Sequence, residues 1–481
     1  MALRDEQILA QNRWWTSAGW SADDPHLERL AAQPMRFADE FVEDVDLKDS
    51  GIHVLRGPRQ VGKSTALKLL AARALEAGRE ARSVVYLALD ELEDQPLAEL
   101  AATVRRAKEL AAHPGPSLVL LDEVTLLARW QTAVKSLWDD GTIARDVAVC
   151  TGSSAVDLQH GAAERLPGRR GSGVDHLLLP RTFAAFARAV EPTIPESPSL
   201  TVGELVGGAG RDVLLQARLH GPALARALER YVVFGGLPAA VAEAASGAPA
   251  PSDAVKRVVY DSLVKEAQRR GASVPAVRAL LERVVRSLGA KTAWSRMARE
   301  MDVPLGPRRG PANGQSLRDY IELLAGGYFL FIVYFWRAGS QSNSLSNDKK
   351  VFFADPLLHT IALENTPGLA GNVPALVENA VGLALYRRYE PPELLIESFS
   401  SPNRLHIWQT ARGGEIDFVA GPRRELDPVE VKYQRHIDRR GAAALARAHP
   451  ARPAVIATRD ELLFAEDYTL VPAHQLLWAL G

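Results

Sequence analysis

The chain has 481 residues, 47% of them hydrophobic and 24% charged, with a formal net charge of −1. That length exceeds one ordinary core, so roughly two to four domains are expected, and the composition excludes a disordered or fibrous chain. A single cysteine, Cys150, excludes an intramolecular disulfide framework and suits a reducing cytosol. The opening residues are charged and polar, unlike a signal peptide. The longest apolar stretch, Tyr328 to Trp336, is about half the length of a membrane helix, so a cytoplasmic protein with no membrane partner is expected.

Strand-like and helix-like segments alternate from residue 51 to about 190, the pattern of a mostly parallel α/β sheet. Ile52–Leu55 reads as a strand and Thr65–Leu75 as a helix. Between them Gly57-Pro58-Arg59-Gln60-Val61-Gly62-Lys63-Ser64 fits the phosphate-loop pattern G-x-x-x-x-G-K-[ST] at every fixed position. The glycines let the backbone wrap an anion, and the N–H groups and dipole of the following helix attract it. Lys63 is expected to reach the β- and γ-phosphates and the Ser64 hydroxyl to hold Mg²⁺, with Thr65 completing the loop's contacts. The expected cofactors are therefore ATP and Mg²⁺.

Ser83–Leu89 reads as a second strand and Leu97–Ala112 as a helix. A third strand, Leu118–Leu121, ends in Asp122-Glu123, 59 residues after Lys63. Asp122 is expected to order the Mg²⁺ hydration shell, and Glu123 to orient and deprotonate an attacking water. A helix follows from Leu126 to Asp139, then a strand from Val147 to Cys150 that runs into Thr151-Gly152-Ser153-Ser154. A small hydroxyl there would sense the γ-phosphate. Ser153 is the first candidate and Thr151 the second, with a plain polar turn as the alternative. Farther on, Pro167-Gly168-Arg169-Arg170 offers an arginine to a neighbouring subunit's γ-phosphate. Arg169 is the candidate, against simple surface solvation.

A Pro-rich break at Glu191–Ser199 precedes a helical stretch to about residue 270, punctuated by Gly235-Gly236-Leu237-Pro238. Helices Ala276–Leu288, Thr292–Met301 and Ser316–Leu324 then lead to the aromatic β run Tyr328–Trp336. That is the order of a winged helix-turn-helix, with Ser316–Leu324 as recognition helix and Arg308, Arg309 and Arg318 beside or on it. From Ser262 to Lys350 there are 15 Lys or Arg against 7 Asp or Glu, a local +8 in a chain whose remainder carries −9. A basic module of this kind fits phosphate contacts with DNA, and equally a solvated helical surface. A rigid connector between domains is the other use of such a module.

From about residue 345 the α/β pattern returns. Leu376–Tyr389 reads as a helix, followed by strands near Leu394, Leu405, Ile416 and Val429, then a helix and a strand at Ala454–Ala457. If the turn after Gly421 closes near residues 423 and 424, Asp417 lies opposite Glu430, and Glu430 and Lys432 share a face. Carboxylates and a lysine on one sheet face suit metal-assisted phosphodiester hydrolysis, in which the acids bind Mg²⁺ or Mn²⁺ and the lysine positions water. Glu378, on the preceding helix, would be a further metal ligand beside Asp417 and Glu430. A structural salt-bridge cluster is the alternative.

Together these segments resemble the AAA+ ATPases, and within them a prokaryotic group. It is marked by the loop Arg56–Thr65, by Thr151–Ala155 (TGSSA), Leu166–Arg170, Pro180–Phe183 and Gly235–Pro238, and by Asn12–Trp15 and Asp24–Leu27 near the start. The resemblance spans essentially the whole chain. It implies an ATPase that assembles as a homo-oligomer, and a C-terminal domain similar to the PD-(D/E)xK nucleases, with Ile416 where their proline stands. Trp14 and Trp15 could stack on adenine, but core anchoring is the preferred reading. The expected fold is α/β: an N-terminal linker (1–45), an AAA+ P-loop parallel sheet (46–190), a helical lid (191–270), a winged helix-turn-helix (271–340) and an α/β restriction-endonuclease-like domain (345–481). The expected function is ATP hydrolysis coupled to DNA binding or to DNA processing by a metal-dependent deoxyribonuclease. The alternative is an ATP-driven switch binding a DNA or protein partner, with a non-catalytic nuclease-like domain.

Overall fold

The computed structural model describes residues 2–33, 39–93, 95–127, 129–152, 170–269, 272–301, 313–337, 342–366, 368–397, 399, 401–409, 415–422, 425–448 and 453–481. The chain divides into two compact units, Met1–Leu179 and Pro180–Gly481.

The first unit is built on five parallel strands: β1 (Gly51–Arg56), β2 (Val84–Ala88), β3 (Leu118–Asp122), β4 (Val147–Gly152) and β5 (Asp175–Leu177), in the spatial order β2-β3-β4-β1-β5. β1, β3 and β4 are buried along their whole length, as central strands of a sheet covered on both faces are. Helix Lys63–Glu76 buries Ala66, Leu67, Leu70, Ala71 and Ala74, spaced three and four apart on one face. Cys150 is fully buried in β4, and burial pushes its thiol up to about 12, so it is a packing residue.

The N-terminal segment covers the sheet edge. β2 is the outer strand, and its exposed backbone groups would otherwise lack partners. The indole N–H groups of Trp14 and Trp15 both donate to the Val84 carbonyl at 2.9 Å. Asn12 exchanges two hydrogen bonds with the Tyr86 backbone, and Gln11 accepts from Ala88 N–H. Both tryptophans are buried and spent on this edge, which is anchoring rather than adenine stacking. Asp24 caps helix Pro25–Ala31 and pairs with Lys68 at 3.5 Å, which accounts for the Asp-Pro-His-Leu segment. The helix expected from Leu126 begins instead at Trp130. Glu123 (φ 56°) and Arg129 (φ 60°) bracket a short 3₁₀ turn in a left-handed conformation that a helix cannot continue.

The second unit begins with helices, from Phe183–Val190 to Gly314–Gly326, and ends in an eight-stranded mixed sheet. Its strands are β6 (Leu330–Arg337), β7 (Ser342–Phe353), β8 (Leu405–Gln409), β9 (Glu415–Ala420), β10 (Asp427–Lys432), β11 (Ala454–Thr458), β12 (Leu463–Phe464) and β13 (Tyr468–Pro472), ordered β12-β13-β11-β10-β9-β8-β6-β7. Three helices lead into β6 in the order of a winged helix, but β6 pairs with β7 and β8 and so belongs to the C-terminal sheet. The strand expected near Leu394 is helix Pro392–Glu397. Pro391 and Pro392 fix their φ angles, and the Pro391 carbonyl accepts from Leu394 and Leu395 N–H.

Gly235 and Gly236 have a local reason. Helix Gly221–Phe234 stops at Gly235, whose φ is 68°, and helix Pro238–Ala245 starts with Pro238 in its first turn. A Cβ on Gly235 would stand 1.9 Å from an Asp355 carboxylate oxygen. That buried carboxylate accepts from Gly236 N–H at 2.8 Å and from Leu357 N–H at 2.9 Å, capping helix Pro356–Glu364.

Candidate active site

β1 delivers the phosphate loop and helix Lys63–Glu76 leaves it. Gly57 has φ 151°, and a Cβ there would meet the Leu178 carbonyl at 2.1 Å. Gly62 stands in front of the helix at φ 101°, a conformation L side chains rarely adopt. Pro58 and Val61 are buried, Arg59, Ser64 and Thr65 half-buried, and Gln60 is exposed at φ 65°. The Lys63 ammonium lies within the loop and donates to the carbonyls of Gly57 (3.0 Å) and Pro58 (2.9 Å).

Strand order explains how the acids reach this loop. β4 lies between β1 and β3, so its C-terminal end sits beside both the loop and Asp122-Glu123. Thr151, at that end, ties the acids together. Its hydroxyl donates to Asp122 Oδ1 at 2.6 Å and accepts from Glu123 N–H at 2.9 Å. The Tyr86 hydroxyl donates to Asp122 Oδ2 at 2.8 Å. Lys68 lies 3.7 Å from the Tyr86 ring centroid, packing its charge on the ring face. Asp122 is thus buried, with both oxygens held by neutral donors. Glu123 differs: its Oε2 is buried and has no hydrogen-bond partner among the described residues. The glycine cradle and these two carboxylates fit a triphosphate with Mg²⁺.

Ser153 and Arg169 fall in residues 153–169, outside the described residues. Arg170 pairs with Asp175 at 2.9 Å. Tyr86 was not legible as part of the site. It stands in an apolar strand, and only the side-by-side pairing of β2 with β3 brings it to Asp122.

The C-terminal acids also come together. The antiparallel register of β9 and β10, with Val429 opposite Phe418, puts Asp417 opposite Glu430 at the next position. Asp417 N–H donates to Glu430 Oε2, and Val431 N–H donates to Asp417 Oδ2. Lys432 pairs with Glu430 at 3.1 Å. Glu378, from helix Val373–Tyr389, joins them through a residue the sequence reading missed. The Lys350 ammonium, on β7, lies 2.7 Å from Glu378, 2.8 Å from Glu415 and 2.9 Å from Asp417. Lys291 closes on the other Glu415 oxygen at 2.7 Å. Burial, then Asp417, raises Glu378 above the usual carboxylate range, and the same two influences raise Glu430. Among the described residues, no group of three or more His, Cys, Asp or Glu side chains is arranged to hold a metal ion. Lys350 sits in a long, mostly polar stretch whose burial depends on its neighbours in the sheet, so no local signal marked it.

Arg318, on helix Gly314–Gly326, pairs with Glu322 at 2.7 Å along its own helix. Arg308 and Arg309 lie outside the described residues. No helix among the described residues is long and apolar enough to cross a membrane.

Residues 49–187 match the family model described as AAA domain. The match coincides with the five-stranded parallel sheet and supports a P-loop ATPase. Residues 225–367 and 374–476 match two models described as domains of unknown function, DUF8612 and DUF4143. No curated protein matches the chain. Among solved structures, the ORC2 protein of Aeropyrum pernix in its ADPNP–ADP complexes is similar at 14% identity, over 76% of this chain and 94% of that one, with a TM-score of 0.34. The ORC1 protein of the same organism in complex with DNA is similar at 15% identity, over 74% and 96%, with a TM-score of 0.29. A katanin structure is similar at 20% identity, over 47% and 80%, with a TM-score of 0.24. Scores this low mean that the chains do not superpose as wholes.

Proposed function

We propose that this protein binds ATP with Mg²⁺ at the loop Gly57–Thr65 and hydrolyses it, and that the nucleotide state governs how its C-terminal half engages DNA. Lys63 would hold the β- and γ-phosphates, and Ser64 and Asp122 would hold Mg²⁺. When bound, that ion supplies charge neutralisation on the phosphate oxygens. Glu123 carries the hydrolytic reading. Its backbone N–H is pinned by Thr151, while its buried Oε2 keeps an acceptor for a water proton. The water oxygen bonds the γ-phosphorus, its proton goes to Glu123, and the β–γ bridging bond breaks to leave ADP and phosphate. Ser153 as γ-phosphate sensor and Arg169 as a finger reaching a second copy in a homo-oligomer complete the proposal. The test is steady-state ATP turnover. Glu123→Gln should retain nucleotide binding and lose turnover by about 100-fold or more. Unchanged turnover would refute the role of Glu123.

DNA as partner is supported by the local +8 charge between Ser262 and Lys350. For the C-terminal acids two roles compete. Asp417, Glu430 and Lys432 on neighbouring strands suit metal-assisted cleavage of a phosphodiester, with Glu378 as a further ligand. The ammonium already among Glu378, Glu415 and Asp417 favours the second role, in which the sheet binds its partner without cutting it. Incubation with duplex, branched and single-stranded DNA in Mg²⁺ or Mn²⁺ separates them. Cutting by the wild type that Lys432→Ala abolishes would establish a nuclease.

A further inference from the structure

We propose that Lys350 is the resident cation of the C-terminal acid cluster: its ammonium neutralises the acids that meet there, and the cluster takes no divalent metal while it is there. The inference deepens the non-cleaving reading above and is independent of ATP hydrolysis.

Three carboxylates from two elements, Glu378 on its helix and Glu415 and Asp417 on β9, place oxygens 2.7–2.9 Å from one Nζ. The ammonium donates hydrogen bonds to Glu378 and Asp417, and Glu415 adds an ion pair at 2.8 Å. The Lys350 side chain is 2% exposed, and those of Glu378, Glu415 and Asp417 are 13%, 19% and 16% exposed. Acidic oxygens from three side chains around one buried nitrogen favour the charged ammonium over the neutral amine.

Lys350 is also fixed in place. On β7 it is paired with Val333 of β6, while its neighbour Lys349 points to the opposite face, 4.6 Å from the Trp294 ring centroid. The Lys349 backbone exchanges two hydrogen bonds with Thr292. That pairing seats the preceding turn over the acids: Lys291 pairs with Glu415, and a Cβ on Gly289 would stand 2.7 Å from Glu378 Oε2. A divalent ion entering here would have to displace a buried ammonium from three partners, because two cations about 3 Å apart repel strongly in a poorly solvated site. Glu430 is no substitute ligand, since Lys432 and the Asp417 N–H already engage its two oxygens.

Nucleotide-free full-length protein titrated with Mn²⁺ and followed by electron paramagnetic resonance of the free ion tests this. In the wild type, no site should be removed by Asp417→Asn, and any residual cluster binding should be weaker than about 1 mM, the weak end for oxygen-ligand sites. Lys350→Met, which keeps the bulk and deletes the charge, should gain one site tighter than about 100 µM, lost again when Asp417→Asn is added. A wild-type site tighter than about 100 µM that Asp417→Asn abolishes would overturn the proposal. So would a folded Lys350→Met protein with no new site. If Lys350→Met does not fold, the wild-type and Asp417→Asn titrations decide alone. DNA cutting is scored separately in the same samples. Mn²⁺ binding at the cluster without cutting sinks the resident-cation inference only, whereas cutting without a cluster site sinks the non-cleaving reading only.

Discussion

The two acid sites of this protein are made of the same residue types and behave oppositely. At the phosphate loop, Lys63 donates to the carbonyls of Gly57 and Pro58, and Asp122 is held by the hydroxyls of Tyr86 and Thr151. In the C-terminal sheet, Lys350 sits directly on three carboxylates. The neutral hydroxyls on Asp122 can be exchanged for a hydrated ion at small cost, since one hydrogen bond replaces another of similar strength. A buried ammonium among carboxylates cannot, because its departure leaves uncompensated charge on both sides. The contrast teaches that a lysine beside two acids is not by itself a catalytic signature. What the lysine already touches decides whether the site is open to a ligand.

The largest expected effect breaks the open site. Lys63→Ala should abolish ATP turnover, and Glu123→Gln should lower it by about 100-fold or more, measured as phosphate release. If both variants turned over ATP at the wild-type rate, the loop would not be the exchangeable site described above. Next comes the closed site. Lys350→Met should destabilise the protein by about 3–5 kcal/mol, the cost of breaking a buried ion pair by removing one partner. Denaturant unfolding measures this, and a loss below about 1 kcal/mol would place Lys350 with surface ion pairs instead. Thr151→Val sharpens the contrast from the other side. It removes a neutral clamp on Asp122 and leaves Glu123 N–H without its acceptor. Turnover should fall about tenfold with ADP affinity little changed, and Thr151→Ser should restore most of it. A Thr151→Ser protein as slow as Thr151→Val would show that the methyl group, not the hydroxyl, matters.

The open site was legible because its parts are contiguous. Gly57 to Thr65 is one uninterrupted segment, and Asp122-Glu123 ends a strand that reads as a strand on its own. The Asp417–Glu430 juxtaposition was legible too, since an antiparallel turn fixes which residues face each other. Lys350 was not. It reaches Asp417 across 67 residues of chain and through a helix, and a charged residue gives no local sign that it will be buried. The same blindness hid Tyr86 and the membership of β6 in the C-terminal sheet, both products of long-range strand pairing. Leu394 is a local matter instead: it reads as a strand, although two prolines beside it start a helix.

Asp355 is a third kind of buried acid. Among the described residues, its oxygens meet neither an ammonium nor a hydroxyl, only the N–H groups of Gly236 and Leu357. Burial pushes its carboxyl up to about 7, although the two N–H groups and the nearby Arg387 pull it down. The folded protein therefore binds this proton more tightly than the unfolded chain does. Stability contributed by Asp355 is full below about pH 4, where both states are protonated, and is lost as pH rises toward about 7. The slope approaches about 1.4 kcal/mol per pH unit in that window and vanishes above it. Asp355→Asn removes the titration. The difference in unfolding free energy between wild type and variant should shrink from pH 5 to pH 8, because the other titrating acids are common to both and cancel. A difference that stayed constant across that range would mean that Asp355 is ionised throughout. The two N–H groups would then hold an anion as firmly as an ammonium does.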